Sequence, residues 1–177
     1  MALILDRLPI PTRDTVAFVG QEAVTVHAYE IPVWVCLAVG DVMDARRLPR
    51  FPALLDTAHT HHFLIREEHL WRWAGLRPDA LHLGWGSIRQ QGRRFPLRAA
   101  QLWMHPNLPG HWDRPAGRPP HRIYVPEGIV VYPPGSSFPR LPLVGLRAIV
   151  RNKLDPRVRG KDGMVSLRSG VKWWPFG

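Results

Sequence analysis

The sequence predicts a mainly β domain with one or two short helices, and three observations carry that expectation. Branched and aromatic apolar residues come in short runs, as in Val33-Trp34-Val35-Cys36-Leu37 and Gly128-Ile129-Val130-Val131-Tyr132. The 19 prolines and 15 glycines fall between those runs and not in one low-complexity block, so they read as turns. Only residues 66–74 and 146–154 space their apolar residues at a helical period. At 177 residues the chain has room for one domain with a real core, and its 8 tryptophans argue against general disorder.

Taken in order, residues 1–22 read as an N-terminal arm, with Pro9 and Pro11 ahead of a short strand, Thr15 to Val19, that Gly20 stops. Ala23 to Tyr29 and Ile31 to Val39 are the next strand candidates, the second ended by Gly40 and Asp41. Phe51 to Leu55 is a strand with Asp56 at its C-terminal edge, and Phe63-Leu64-Ile65 is another. The clearest helix covers Arg66 to Ala74: acidic residues come early, Leu70, Trp73 and Ala74 share a face, and Gly75 caps the end. Residues 93–97 and 99–104 alternate as strands, and residues 105–122 form a proline-rich loop suited to a lid, a binding loop or an insertion. Ile123 to Val125 and Gly128 to Tyr132 read as a hairpin around Pro126-Glu127-Gly128. Leu141 to Gly145 is a strand, Leu146 to Leu154 continues as a helix, and Val158 to Leu167 is a terminal hairpin. Residues 169–177 are an aromatic tail, with Trp173, Trp174 and Phe176 read as padding for a core edge.

The formal charge of +10 is concentrated toward the C-terminal end, where Arg147, Arg151, Lys153, Arg157, Arg159 and Lys161 face few acids. Such a surface admits nucleic acid as a partner, and Trp103, Trp112 and Tyr124 lie among Arg98, Arg114, Arg118 and Arg122, but no reader motif accompanies them. Cys36 is the sole cysteine, so an oxidised disulfide scaffold is not implied. No apolar run has the length of a membrane span, and the first residues lack the pattern of a signal peptide; a soluble, cytoplasmic protein is expected.

The chemistry concentrates around Asp56, a carboxylate where a buried strand meets a tight turn. The run Phe51-Pro52-Ala53-Leu54-Leu55-Asp56-Thr57-Ala58 resembles the apolar strand plus Asp-Thr-Gly of the retropepsin-like aspartic proteases. Leu143-Val144-Gly145, followed by Leu146 to Val150, resembles their second signature, two apolar residues and a glycine before a short helix. The resemblance implies a retropepsin-like acid-protease β-barrel unit over residues 23–168 that works as a homodimer on a peptide or protein substrate, with no cofactor. Asp56 would be catalytic, one per subunit. Thr57 would bond across the dimer, and Gly145 would leave room for the Asp56 loop, with Ala58, Leu143 and Val144 supporting the site. The flap of that family falls by order on Gly84-Trp85-Gly86 and Gly92.

Ala58 departs from the pattern, because alanine adds a methyl group where the family has glycine. A catalytically inactive dimerisation or binding domain is therefore the alternative function. His59, His61 and His62 also depart from it, and with Asp56 they offer ligands of the kind zinc takes, though at no established zinc spacing. No metal is the leading expectation, with these histidines as its alternative.

Overall fold

The computed structural model describes residues 2–90 and 92–170. Trp173, Trp174 and Phe176, with most of the aromatic tail, lie outside the described residues.

The architecture is a mixed α/β fold of mostly antiparallel strands with two short α-helices. A small sheet joins β1 (Leu3–Pro9), β13 (Leu154–Arg159) and β14 (Met164–Ser169), with β14 in the centre. β2 (Thr15–Val19) and β3 (Glu22–Val26) form a separate hairpin. The main sheet has nine strands. In chain order they are β4 (Pro32–Ala38), β5 (Phe51–Asp56), β6 (Phe63–Arg66), β7 (Leu83–Gln90), β8 (Arg93–Arg98), β9 (Gln101–His105), β10 (His121–Ile123), β11 (Ile129–Tyr132) and β12 (Leu143–Gly145). Across the sheet they run β10-β9-β4-β5-β12-β6-β11-β8-β7.

That order corrects the expected β-barrel: among the described residues no sheet closes on itself. Closure would require the two edge strands, β7 and β10, to pair. β10 has only three residues, hemmed by Pro119, Pro120 and Pro126, which bring no amide donors. The pairing of β7 with β8 shifts register between Leu83 and Ser87. Both edges therefore stay open.

The strands at the middle of the main sheet are the most apolar because both faces are covered. Every residue of β4 is buried, as are Phe51 to Leu55 of β5 and all of β12. The core continues through Phe63, Leu64, Ile65, Leu102, Met104 and Val144. α1 (Glu67–Ala74) follows β6 directly, buries Leu70, Trp73 and Ala74, and ends at Gly75 with φ 68°, as its spacing predicts. α2 (Leu146–Arg151) follows β12 without a break and buries Ala148 and Ile149.

One local expectation needs correction. The predicted hairpin at 123–132 does not form: β10 pairs with β9, whereas β11 pairs with β6 and β8. Gly128 turns the chain at φ +100° beside the Arg98 carbonyl, which leaves no room for a Cβ, and this sends β11 into the sheet interior. The N-terminal arm holds a further strand ahead of the expected one at 15–19, since β1 pairs with β14. The proline-rich loop is anchored by Asn107, which is buried; its Oδ1 accepts from the Asp6 amide at 2.8 Å and its Nδ2 donates to the carbonyls of Asp6, Leu108 and His111.

Candidate functional site

The site begins with a strand that is hydrogen-bonded on both sides. β5 lies between β4, antiparallel, and β12, parallel. The half-buried Asp56 is the last residue of β5, where the apolar covering ends. Its Oδ1 accepts from the Ala58 amide at 2.9 Å, an Asx-type turn that points the carboxylate along the loop. Thr57 and Ala58 are exposed. Ala58 does not adopt a positive φ, so the turn is one that alanine enters without strain.

β12 is inserted between β5 and β6, which are neighbours in sequence. The chain from Asp56 to Phe63 must therefore cross the end of β12, and the crossing is tight. Gly145 lies opposite Asp56 in the parallel ladder, its amide donates to the His62 carbonyl at 3.0 Å, and the Leu146 amide donates to the His59 carbonyl at 2.7 Å. A Cβ on Gly145 would collide with the His61 carbonyl oxygen and stand 2.8 Å from that of His59. Leu143 and Val144 lock the crossing from below, pairing with Leu54 and Leu55 on one side and with Leu64 and Phe63 on the other. The structure thus brings Asp56, Thr57, Ala58, Leu143, Val144 and Gly145 into one unit.

The three histidines face different surroundings. His59 packs its ring 5.6 Å from His61 and 5.6 Å from Phe138. Burial pushes its pKa below the ordinary imidazole value, with the Asp56 carboxylate pulling the other way. His62 is buried, with Nδ1 3.8 Å from the Glu127 carboxylate, and burial likewise lowers its pKa. Glu127 is shared, since Arg147 donates to it at 2.8 Å. Among the described residues no group of three or more His, Cys, Asp or Glu is placed to hold a metal ion, His59, His61 and His62 included. Of the proposed nucleic-acid contacts, Arg122 sits 5.7 Å over the Trp103 ring on paired strands β10 and β9.

Sequence reading missed a cavity of about 510 Å³ beyond Phe138, lined by residues of the β7–β8 hairpin and of the segment that follows β11. Phe138 packs edge-on against Tyr132, and Tyr132 packs against Phe95, so an aromatic chain runs from His59 beside the Asp56 loop into this cavity. The alternation of β8, with Phe95 and Leu97 on one face, was its only local trace. Gly92 belongs to the turn of that hairpin, at φ +74°, while Gly84 and Gly86 lie in β7. A second cavity, about 560 Å³, lies beside α1 among Glu67, Glu68, Trp71 and Asp79, and no residue of the Asp56 loop lines it.

No family model, curated protein or solved structure matches the chain. The likeness to the retropepsins rests on the two short motifs. Among the described residues no helix is long and apolar enough to cross a membrane.

Proposed function

We propose that the chain is one half of an aspartic-type endopeptidase that works as a homodimer, with one Asp56 from each copy. The observation that carries the reading is the crossing at Gly145. A buried parallel ladder holds Asp56 at the mouth of a turn, and a glycine that cannot bear a side chain lets the loop close over it. A rigid strand end is where a carboxylate can be held to the tolerance catalysis requires. Ala58 does not argue against the reading, because its backbone angle is an ordinary one and its amide binds the carboxylate.

One carboxylate per chain accounts for the need of a second copy. Two carboxylates brought together cannot both ionise cheaply, so the pair holds one proton. The ionised member takes a proton from water, and the resulting hydroxide oxygen bonds to the peptide carbonyl carbon. The protonated member gives its proton to the carbonyl oxygen. A tetrahedral diol results. Its collapse breaks the C–N bond while the protonated carboxyl gives its proton to the departing nitrogen and the ionised one takes a proton from a diol hydroxyl, leaving an acid and an amine and returning the pair to one shared proton. Thr57, exposed and next to Asp56, would bond the two loops to each other across the dimer axis, as the resemblance implies. Burial lowers the pKa of His59, with the Asp56 carboxylate pulling the other way. A reducing compartment such as the cytoplasm suits a chain whose one thiol, Cys36, is buried.

The test is cleavage of a peptide library between about pH 4 and 7 by the wild-type protein and by Asp56→Asn. Cleavage by the first and loss of roughly 10³-fold or more in the second supports the reading. Equal cleavage by both, or none by either at concentrations where the chain is dimeric, opposes it.

A further inference from the structure

The cavity beyond Phe138 has a chemistry of its own. In the β7–β8 hairpin Gln90 pairs with Arg93, Arg89 with Arg94, and Ile88 with Phe95. Side chains alternate between faces along a strand, so Ile88, Gln90, Arg93 and Phe95 share one face, and Arg89 and Arg94 share the other. Burial agrees at the apolar positions, where Ile88 and Leu97 are buried and Phe95 is half-buried while Pro96 is exposed; Arg89 and Arg94 are exposed, and so is Arg93 on the cavity face. Arg94 is held on the outer face by its bond to Ser87 Oγ at 2.6 Å. Arg93 is therefore the one arginine of the hairpin that lines the cavity, together with Gln90, Phe95, Tyr132, Ser136 and Phe138.

Every polar side chain of this lining can donate a hydrogen bond, and none is a carboxylate. Tyr132 donates its hydroxyl proton to Gln90 Oε1, which leaves the Gln90 NH₂ group to donate elsewhere. The Ser136 carbonyl is already taken by Arg66 at 3.2 Å, and its hydroxyl remains. Arg93 has no carboxylate within ion-pair distance among the described residues, and no carboxylate lines the cavity. Glu68, which accepts from the Gly135 amide of the lining at 3.0 Å, is also paired with Arg66 at 3.4 Å. Between Asp79 and Asp113 the sequence contains no acidic residue at all.

We infer that this cavity is a side-chain subsite for glutamate in an extended peptide, with Arg93 as its specificity-determining residue. The inference rests on the peptidase reading for the purpose of the peptide, and on the cavity's own chemistry for the glutamate. Aromatic walls suit the two methylenes of the side chain. The guanidinium can take the carboxylate through two parallel N–H donors, a geometry that lysine or a neutral donor does not provide. The aromatic chain through Phe138 and His59 puts this subsite next to the Asp56 loop, so the glutamate would flank the scissile bond.

Binding of fluorescent peptides to the Asp56→Asn protein separates the two claims, because no cleavage is needed to read it. A peptide with one glutamate should bind roughly tenfold more tightly than its glutamine isostere. Arg93→Gln should abolish that preference. Arg89→Gln removes the same charge from the outer face and should leave it intact, which distinguishes a site from the general attraction of a chain with charge +10. Equal binding of the two peptides, absence of any binding, a preference that survives Arg93→Gln, or one lost equally in Arg89→Gln overturns the inference. A preference lost only in Arg93→Gln, in a protein whose wild type cleaves nothing, upholds the subsite and defeats the peptidase reading alone.

Discussion

The middle and the β7 edge of the main sheet solve opposite problems. At the middle, β5, β12 and β6 are buried, and the position of Asp56 is set by backbone: a parallel register, two amide-to-carbonyl bonds across the loop, and a glycine with no space for a methyl. At the edge, the β7–β8 hairpin is largely exposed, and what it offers is set by side chains that alternate across its two faces. The comparison teaches where change is tolerated. Substitution at the middle should cost folding, and substitution at the edge should alter recognition with little effect on stability.

The largest effect should come from Gly145→Ala. The new methyl meets the His61 carbonyl, so either the loop or β12 must move, at a cost of about 3 kcal/mol. Urea denaturation reads this, and a change within about 0.5 kcal/mol, ordinary for a surface site, would show the crossing to be looser than described. Asn107→Ala should follow at about 2 kcal/mol, because it leaves the partly buried Asp6 amide and carbonyl without partners.

Acid should weaken the fold by way of two buried histidines. His69 lies flat on Trp73 with centroids 3.7 Å apart and accepts a hydrogen bond from Arg66 at 2.7 Å. Burial, with Arg66 and Arg72 adding to it, lowers its pKa to about 4. Burial, with Arg50 adding to it, does the same for His105. The sign follows from the unfolded chain, where both titrate near 6.5 and take up protons that the native state refuses. Stability is then whole above about pH 6.5 and falls on acidification until the native values near 4 are reached, by on the order of 2 kcal/mol per histidine. His69→Gln keeps an acceptor for Arg66 and should flatten part of the dependence of Tm on pH. An unchanged pH profile would remove His69 from the account. In the proposed peptidase, this loss would fall in the range where a shared-proton carboxylate pair works, so activity in acid should be limited by unfolding as well as by the pair.

The smallest effect on stability should be at the hairpin. Arg93→Gln and Arg89→Gln should each change unfolding free energy by no more than about 0.5 kcal/mol, since both side chains are exposed. A larger loss in Arg93→Gln would mean that the arginine supports the fold rather than a ligand.

The middle of the sheet was legible in the sequence and the edges were not. Phe51 to Asp56 and Leu143 to Gly145 are continuous apolar runs ended by one acid and one glycine, the signature of strands covered on both faces and stopped at a turn. α1 was legible because its apolar spacing, acidic first turn and Gly75 all agree. The barrel came from resemblance, and whether a sheet closes depends on whether two distant edges meet, which no local pattern encodes. Pro126-Glu127-Gly128 looks like a hairpin turn, but the close passage of Gly128 past Arg98 is a tertiary fact. β1 was hidden by Asp6, Arg7 and Pro9, which an edge strand tolerates and a central one would not. The cavity lining was not legible because its walls come from two segments separated by more than thirty positions, between Phe95 and Phe138.

Asp56→Asn carries the central claim most directly, because the substitution keeps the size of the side chain and an acceptor for the Ala58 amide. The measurement is peptide hydrolysis by wild type and variant at equal dimer concentration, with urea unfolding run on both. The account predicts hydrolysis by the wild type, its loss by roughly 10³-fold or more in the variant, and a fold of near-equal stability. Hydrolysis that persists in a folded Asp56→Asn protein, or its absence from a dimeric wild type, would contradict it.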